Sequence, residues 1–466
     1  MSAPLIWIVL PIFISILLLI FRKNFYLICL IQIISCILIL ISALSSRFVV
    51  TGSTSIFNYQ ISPELNILGR SLIFTTGLKT TAILFYGALA IWSTTLYIFK
   101  IKSNIVPFGL FFIGLLLSAL VVEPFLYSAL IIEIAVIVSI PIVATAANPR
   151  IKGVSRYLIY FTLGMPFVLL AGWYLAGGEI TPVNDEQLIQ AAFLLGLGFV
   201  FWLAVFPFQS WIPLLVEETE PIEGFFVLTI LPIAVAVLLM KYLNGFAWLR
   251  GFGLVFQALR LFGLIMIIIG SIWFSLQRSL RRAIGYLILV SSGLIVTAIS
   301  INTTNGYIIS TYFMLLRVFC FFLISIMLMM IERLTENNFI ESLDGLFLRS
   351  PLVAIGFFIP LLSLIGMPWT PGFPVMQSFF SEFSIYAPSY VFFLILSQIL
   401  VSVTIIRWIF NSIKKEEYID NKSKLVAPET FLLLVCVSGL IILGIFPNII
   451  YPNISDIVND LQFLVK

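Results

Sequence analysis

The chain has 466 residues, of which 61% are hydrophobic and only 10% are charged, with a net charge of +4. A soluble domain carries about 25% charged residues, so this composition excludes a soluble fold of this size. The small net charge and the absence of a long basic stripe give no reason to expect a nucleic-acid partner.

The apolar residues come in runs long enough to cross a bilayer. In chain order the predicted spans are Leu5–Ile20, Tyr26–Ile41, Ala82–Phe99, Val106–Val121, Leu126–Val143, Tyr157–Leu175, Leu188–Phe206, Phe225–Met240, Leu254–Phe274, Ala283–Ile299, Tyr307–Ile331, Leu352–Met367, Tyr390–Ile409 and Phe431–Ile445. The expected fold is therefore an all-α integral membrane protein of about fourteen transmembrane helices, with the whole of 1–466 forming one polytopic domain. The N-terminus lacks the basic start of a signal peptide, so its first run reads as a retained helix. Three connections have length, at about 42–81, 332–350 and 412–428, and none could hold a core of its own.

Charge in the connections orients the chain. Odd-numbered connections carry Arg22, Lys23, Lys100, Lys102, Arg150, Lys152, Arg156, Arg278, Arg281, Arg282, Arg333, Arg349, Lys414, Lys415, Lys422 and Lys424; even-numbered ones carry Arg47, Arg70, Lys79 and Arg250. By the positive-inside rule the odd connections face the cytoplasm or its equivalent, and both termini face the electropositive side.

Residue types that are missing narrow the chemistry. The chain has no histidine, which removes His-ligated haem, the commonest zinc and copper ligand, and the usual proton relay. Cys29, Cys36, Cys320 and Cys436 form no CxxC, so they read as small packing residues rather than cluster ligands. No nucleotide-binding glycine motif is present. No cofactor is expected on this chain, and any redox centre or energy source belongs to another one.

Two spans look broken. Span 7 runs into Phe206-Pro207-Phe208-Gln209-Ser210-Trp211-Ile212-Pro213, and span 12 into Gly366-Met367-Pro368-Trp369-Thr370-Pro371-Gly372-Phe373-Pro374. Proline removes a helix hydrogen bond, and backbone freed inside a bilayer needs protein or internal water to satisfy it. Such breaks mark ion pathways in transporters, or are ordinary helix ends with Pro-rich turns.

Four stretches carry a family resemblance. Residues 206–213 are similar to PFHxWLP. Gln277-Arg278-Ser279-Leu280-Arg281-Arg282-Ala283-Ile284-Gly285-Tyr286, followed by Gly293, is similar to QxDLKRLLAYSSISHMG. Leu346-Phe347-Leu348-Arg349-Ser350-Pro351 is the third. Leu362-Ser363-Leu364-Ile365-Gly366-Met367-Pro368, then Gly372-Phe373, is similar to LSLxGxPPxxGF. The chain thus resembles the antiporter-like membrane subunits of complex I, of its photosynthetic relative and of multisubunit cation/proton antiporters. The resemblance covers roughly 80–410 as an antiporter-like core. It leaves 1–80 as N-terminal helices and loop, and 411–466 as a C-terminal loop and helix. It implies two inverted repeats of about five helices with helices 7 and 12 broken, and an energy-transducing membrane, bacterial or thylakoid. It also implies partners among the membrane and redox subunits of a larger complex.

Family members are thought to move protons along a row of buried ionisable residues. Glu133, about eight residues into span 5, matches the family's span-5 glutamate; it is a relay group or a protonated carboxyl bonded between helices. Lys241 lies where the family carries a span-8 lysine, or else snorkels to the interface. Arg317 stands at a span-11 lysine position and keeps a charge, but arginine does not release its proton. Elsewhere the row is lost: the span-7 lysine position is Trp202, two histidine positions are Gln209 and Ser291, and the span-12 ionisable position is Met376. Glu382 lies too near the surface to substitute, and Glu123 reads as interfacial. The acidic turn Glu217-Glu218-Thr219-Glu220-Pro221-Ile222-Glu223 reads as a solvated loop or a dock for a basic partner. The functional expectation is a membrane-arm subunit of a proton-translocating quinone oxidoreductase with a partly degenerate relay. Its alternatives are a non-conducting structural subunit and a subunit of a cation/proton antiporter or ion-coupled uptake complex.

Overall fold

A computed structural model describes residues 2–21, 24–45, 47–48, 60–67, 69–144, 151–176, 185–335, 337–414, 427–446, 455, 457–461 and 464. A π-helical turn at Leu5–Val9 leads into α1 (Leu10–Ile20) and α2 (Phe25–Ser45). Short strands β1 (Arg47–Phe48), β2 (Gln60–Ile61), β3 (Glu64–Ile67) and β4 (Arg70–Ile73) follow. Then come α3 (Thr76–Ile98), α4 (Ile105–Val121), β5 (Val122–Glu123), α5 (Tyr127–Val143), α6 (Lys152–Ala176), α7 (Asp185–Trp202), α8 (Trp211–Glu218) and α9 (Pro221–Gly245). The remainder is α10 (Ala247–Gly251), α11 (Gly253–Leu276), α12 (Leu280–Ile299), α13 (Thr304–Thr335), α14 (Leu346–Arg349), α15 (Pro351–Leu364), α16 (Gly372–Tyr386), α17 (Pro388–Ile413) and α18 (Ala427–Ile445).

Among the described residues nine helices are long and apolar enough to cross a membrane, and five shorter apolar helices accompany them. The helices sort by how their apolar residues are used. Every residue of α9 from Pro221 to Met240 is buried, as expected for a helix apolar on all sides. Helices α12 and α13 are nearly as enclosed. By contrast α2, α17 and α18 expose large aliphatic and aromatic side chains such as Leu38, Phe392 and Phe431, which in a bilayer meet lipid. The free cysteines Cys29, Cys36 and Cys320 are buried, and Cys436 is half-buried.

Both breaks are present. After α7 the chain turns through Ala204 at φ +58° and a 3-10 turn at Phe208–Ser210 before α8 begins. After α15 it turns at Gly366, φ +70°, and resumes as α16. A side chain at Gly366 would be strained by that φ and would also meet Met376 Cγ at 2.6 Å.

One long connection differs from expectation. The 42–81 segment is not plain loop: α3 begins at Thr76, β3 and β4 form an antiparallel hairpin, and β4 pairs with β5. Four-residue strands carry too little alternation to register in the sequence. Span ends also moved, with α13 running past both predicted edges and α7 ending at Trp202 rather than Phe206.

Contacts among the connections fall into two sets. On one face Ser103 bonds Glu223, Gly153 bonds Glu218, Arg282 pairs with Glu217 and Arg281 with Glu332; all belong to odd connections or the helix ends beside them. On the other, Ala3 bonds Ser62, Thr76 bonds Asp460, Leu72 pairs with Val122 and Lys241 with Glu123. The alternation read from charge is thus a structural alternation, although Arg22, Lys23, Arg150, Lys415, Lys422 and Lys424 lie outside the described residues.

Candidate functional site: a buried guanidinium among three helices

Pro232 lies inside α9. It has no N–H, so the Leu228 carbonyl four residues earlier lacks its helical donor. Arg317, 0% exposed on α13, supplies one: its Nη2 donates to that carbonyl at 2.8 Å. Its Nη1 donates to Ser291 Oγ at 2.8 Å and Ser292 Oγ at 2.7 Å, both on α12. Each hydroxyl donates onward to the Ile288 carbonyl, at 2.8 and 3.1 Å, which aims its lone pairs at the arginine. The Phe321 ring lies 5.6 Å from the guanidinium carbon. Among the described residues no carboxylate pairs with Arg317, and its Nε has no partner. Arginine stays charged in proteins, so a fixed positive charge sits without a counter-ion where three helices meet. Ser291, read from sequence as a lost histidine, is in fact one of its ligands.

The other expected relay residues stand apart, and no hydrogen bond or ion pair joins any two of Glu133, Lys241 and Arg317. Lys241 Nζ lies 3.1 Å from Glu123 Oε1, donates to the Leu120 carbonyl at 2.8 Å and sits over the Phe125 ring at 4.4 Å. Glu123 is therefore the ion-pair partner of Lys241. Its burial pushes the carboxyl above the ordinary carboxylate range, against the pull of Lys241. Glu133 Oε1 accepts from Thr162 Oγ1 on α6 at 2.6 Å, while its Oε2 is buried with no partner among the described residues. Glu382 accepts from Asn305 on the exposed face.

Trp202 is 1% exposed, and its Nε1 donates to the Phe161 carbonyl at 3.1 Å. The indole stacks near-parallel on Phe161 and meets Phe199 edge-on, which in turn meets Tyr242. Gly164 makes the room: a Cβ there would come within 2.6 Å of Trp202 Cδ1. Aromatic carbon thus occupies the span-7 position. Met376 is 4% exposed beneath Gly366. Gln209 stands in the 3-10 turn, and its Oε1 has no partner among the described residues.

The acidic turn is not a solvated loop. Glu217 pairs with Arg282 at 2.5 Å, and Glu218 accepts from the Gly153 backbone N–H at 2.6 Å. Arg281 holds Glu332 through two bonds of 2.5 Å and donates to the Thr219 carbonyl at 2.7 Å. The turn folds inward because arginines and a helix start beside it satisfy its charge; only Glu220 of its glutamates is exposed.

Residues 157–406 match the family described as NADH:quinone oxidoreductase/Mrp antiporter, transmembrane region, and the Arg317 site lies wholly within them. NADH-quinone oxidoreductase subunit N of Anoxybacillus flavithermus is 27% identical over 60% of this chain and 58% of its own length. NAD(P)H-quinone oxidoreductase subunit 2 of Synechococcus elongatus is 26% identical over 62% and 60%. The matches thus span about six tenths of those relatives. Among solved structures, a chain of an archaeal membrane-bound sulfane sulfur reductase superposes with TM-score 0.83 at 15% identity, covering 100% of this chain and 98% of that one. A chain of the Mrp complex from Dietzia sp. gives 0.82 at 12%, covering 100% and 99%. A chain of Thermus thermophilus complex I gives 0.79 at 18%, covering 99% of each. These likenesses establish the all-α membrane fold, and with the match over more than half its length the chain belongs to the NADH:quinone oxidoreductase/Mrp antiporter transmembrane family.

Proposed function

We propose that the chain is an antiporter-like membrane-arm subunit of a complex I-like, proton-translocating quinone oxidoreductase, whose electron donor and cofactors reside on partner chains. The observation that carries this reading is Arg317: a charge buried without a counter-ion is costly in a membrane protein and is a functional group by default. Arg317 does not pass protons itself. Its fixed field biases the charge of groups that do, and the Glu123–Lys241 pair is an ionisable unit near the opposite end of α9. In this reading 1–466 is one polytopic domain crossing the bilayer about fourteen times. The odd connections lie on the cytoplasmic or equivalent side of a bacterial plasma or thylakoid membrane.

A second reading has its own support. The Trp202 cluster places indole and phenyl rings where a relay would need a proton-exchanging group or water, which favours a subunit that keeps the scaffold and interfaces but does not conduct there.

The reading is tested by purifying the chain from its native membrane. Co-purification of quinone-reactive redox subunits, with proton uptake driven by electron transfer, is expected. Robust cation-driven proton exchange by the single chain in liposomes would overturn it.

A further inference from the structure

Helix α7 packs chiefly on α6, and α11 on α12 and α17. Between α7 and α11 lies an apolar slot of about 110 Å³. One wall is the α7 stripe Ala192, Gly196 and Leu203, and the other is the α11 stripe Val255, Leu259 and Phe262, both at helical spacing. Leu239 and Leu243 of α9, both buried, line it from behind. Leu249 of α10 lines the end where α9 stops and α11 starts, and Val205, in the turn after α7, lines the slot near the helix-7 break. Among the described residues no polar or charged side chain lines it. Gly196 is exposed, and a Cβ built on it would meet no atom within 4 Å, so the slot is open there. Phe193 on α7, and Leu254 and Leu261 on α11, are exposed large apolar side chains, as expected of helix faces that meet lipid.

Apolar walls do not hold water, and an empty slot forfeits the dispersion contacts of its lining. The apolar molecule at hand in a bilayer is a lipid acyl chain, and the dimensions suit one. From Ala192 to Leu203 the slot follows α7 for roughly 16 Å, which is one leaflet of a hydrocarbon core about 30 Å thick. A partner's transmembrane helix, about 10–12 Å across with its side chains, is too wide for a space of 110 Å³. Arg250 follows Leu249 in α10, which puts a cation at the connection end of the slot, where a phospholipid carries its phosphate. We propose that the slot between α7 and α11 is a binding site for one acyl chain of a phospholipid, drawn from the leaflet on the even-connection side and retained when the surrounding lipid exchanges. The chain fills the space between α7 and α11 next to the helix-7 break. This inference goes beyond the proposed function and does not rest on it.

The test uses the full chain in vesicles of phosphatidylethanolamine and phosphatidylglycerol that contain a phospholipid with a diazirine on its acyl chain. One portion is illuminated in the vesicles and another after detergent extraction and washing, and adducts are mapped by peptide mass spectrometry. In vesicles, adducts are expected within 192–203 and 255–262 and also around Phe392 and Phe431, which are exposed on α17 and α18. After washing, those of the slot should remain and the others should be lost. Gly196→Leu, and Ala258→Leu from the opposite wall, each fill the space. Each should lose the retained adduct, keep those around Phe392 and Phe431 in vesicles, and hold the thermal midpoint of the unaltered chain. Arg250→Gln should lower the amount retained. Slot adducts that wash away with the rest would mean annular lipid only and would overturn the proposal, as would retention in both filling variants. Absence of slot adducts in the native assembly would mean that a partner chain fills the slot, and would overturn it too. If a filling variant fails to fold, the washing comparison on the unaltered chain still decides.

Discussion

Pro232 and Arg317 meet at one carbonyl oxygen, that of Leu228, which the proline leaves without a helix donor and the arginine takes at 2.8 Å. The helix defect and the buried charge satisfy each other, so neither is explained alone.

Replacing an interior helix proline by alanine ordinarily gains about 3 kcal/mol. In Pro232→Ala a new N–H competes with Arg317 for the same oxygen. The expected outcome is a gain below about 1 kcal/mol, or a loss, in denaturant unfolding in detergent. A full gain of about 3 kcal/mol would show that the Arg317–Leu228 bond contributes nothing.

Much of this was legible in sequence, and the reason differs by feature. Apolar runs and prolines announce spans and breaks because both act locally, so α7/α8 and α15/α16 separate where Pro207 and Pro368 stand. Arg317 shows as a charge in an apolar run. Its ligands do not, because Ser291 and Ser292 look like ordinary helix serines and Leu228 contributes only backbone; Pro232 four residues on is the one available signal. The acidic turn misled because its neutralising partners, Arg281, Arg282 and the Gly153 amide, come from elsewhere in the chain.

Gly164→Ala tests the Trp202 packing. The added methyl enters space held by the indole ring, so the ring must shift or lose its bond to the Phe161 carbonyl. The expected cost is about 1–3 kcal/mol in unfolding stability, with a change in tryptophan fluorescence. An unchanged midpoint would mean that the cluster is loosely packed.

Glu123→Gln leaves Lys241 half-enclosed without its counter-charge. The pair lies between the exposed and buried extremes, so a loss of about 1–3 kcal/mol is expected. The double variant Glu123→Gln/Lys241→Met should recover most of it. Additive losses in the thermal midpoints would sink the pairing.

Orientation is tested by thiol labelling in sealed vesicles, with Cys436 replaced by serine. Cysteines at Ser62 and at Asp460 should react from the electropositive side, and one within 412–428 from the other. Reaction of all three from a single side would refute the positive-inside assignment.

Glu133 carries the sharpest prediction. Its carboxylate accepts from Thr162 and meets no cation among the described residues, and the position read as the span-7 lysine of the family row is the indole of Trp202. A relay needs groups that gain and lose protons, or water between them, and the Phe161–Trp202–Phe199 stack provides neither. Glutamine keeps the shape of Glu133 and an oxygen for Thr162. Glu133→Gln should therefore leave the protons moved per electron nearly unchanged in the assembled complex, measured by acidification against quinone reduction. A large drop with assembly intact would show that protons reach Glu133 by a path around the tryptophan. The aromatic stack would then be a wall of the route instead of a block across it.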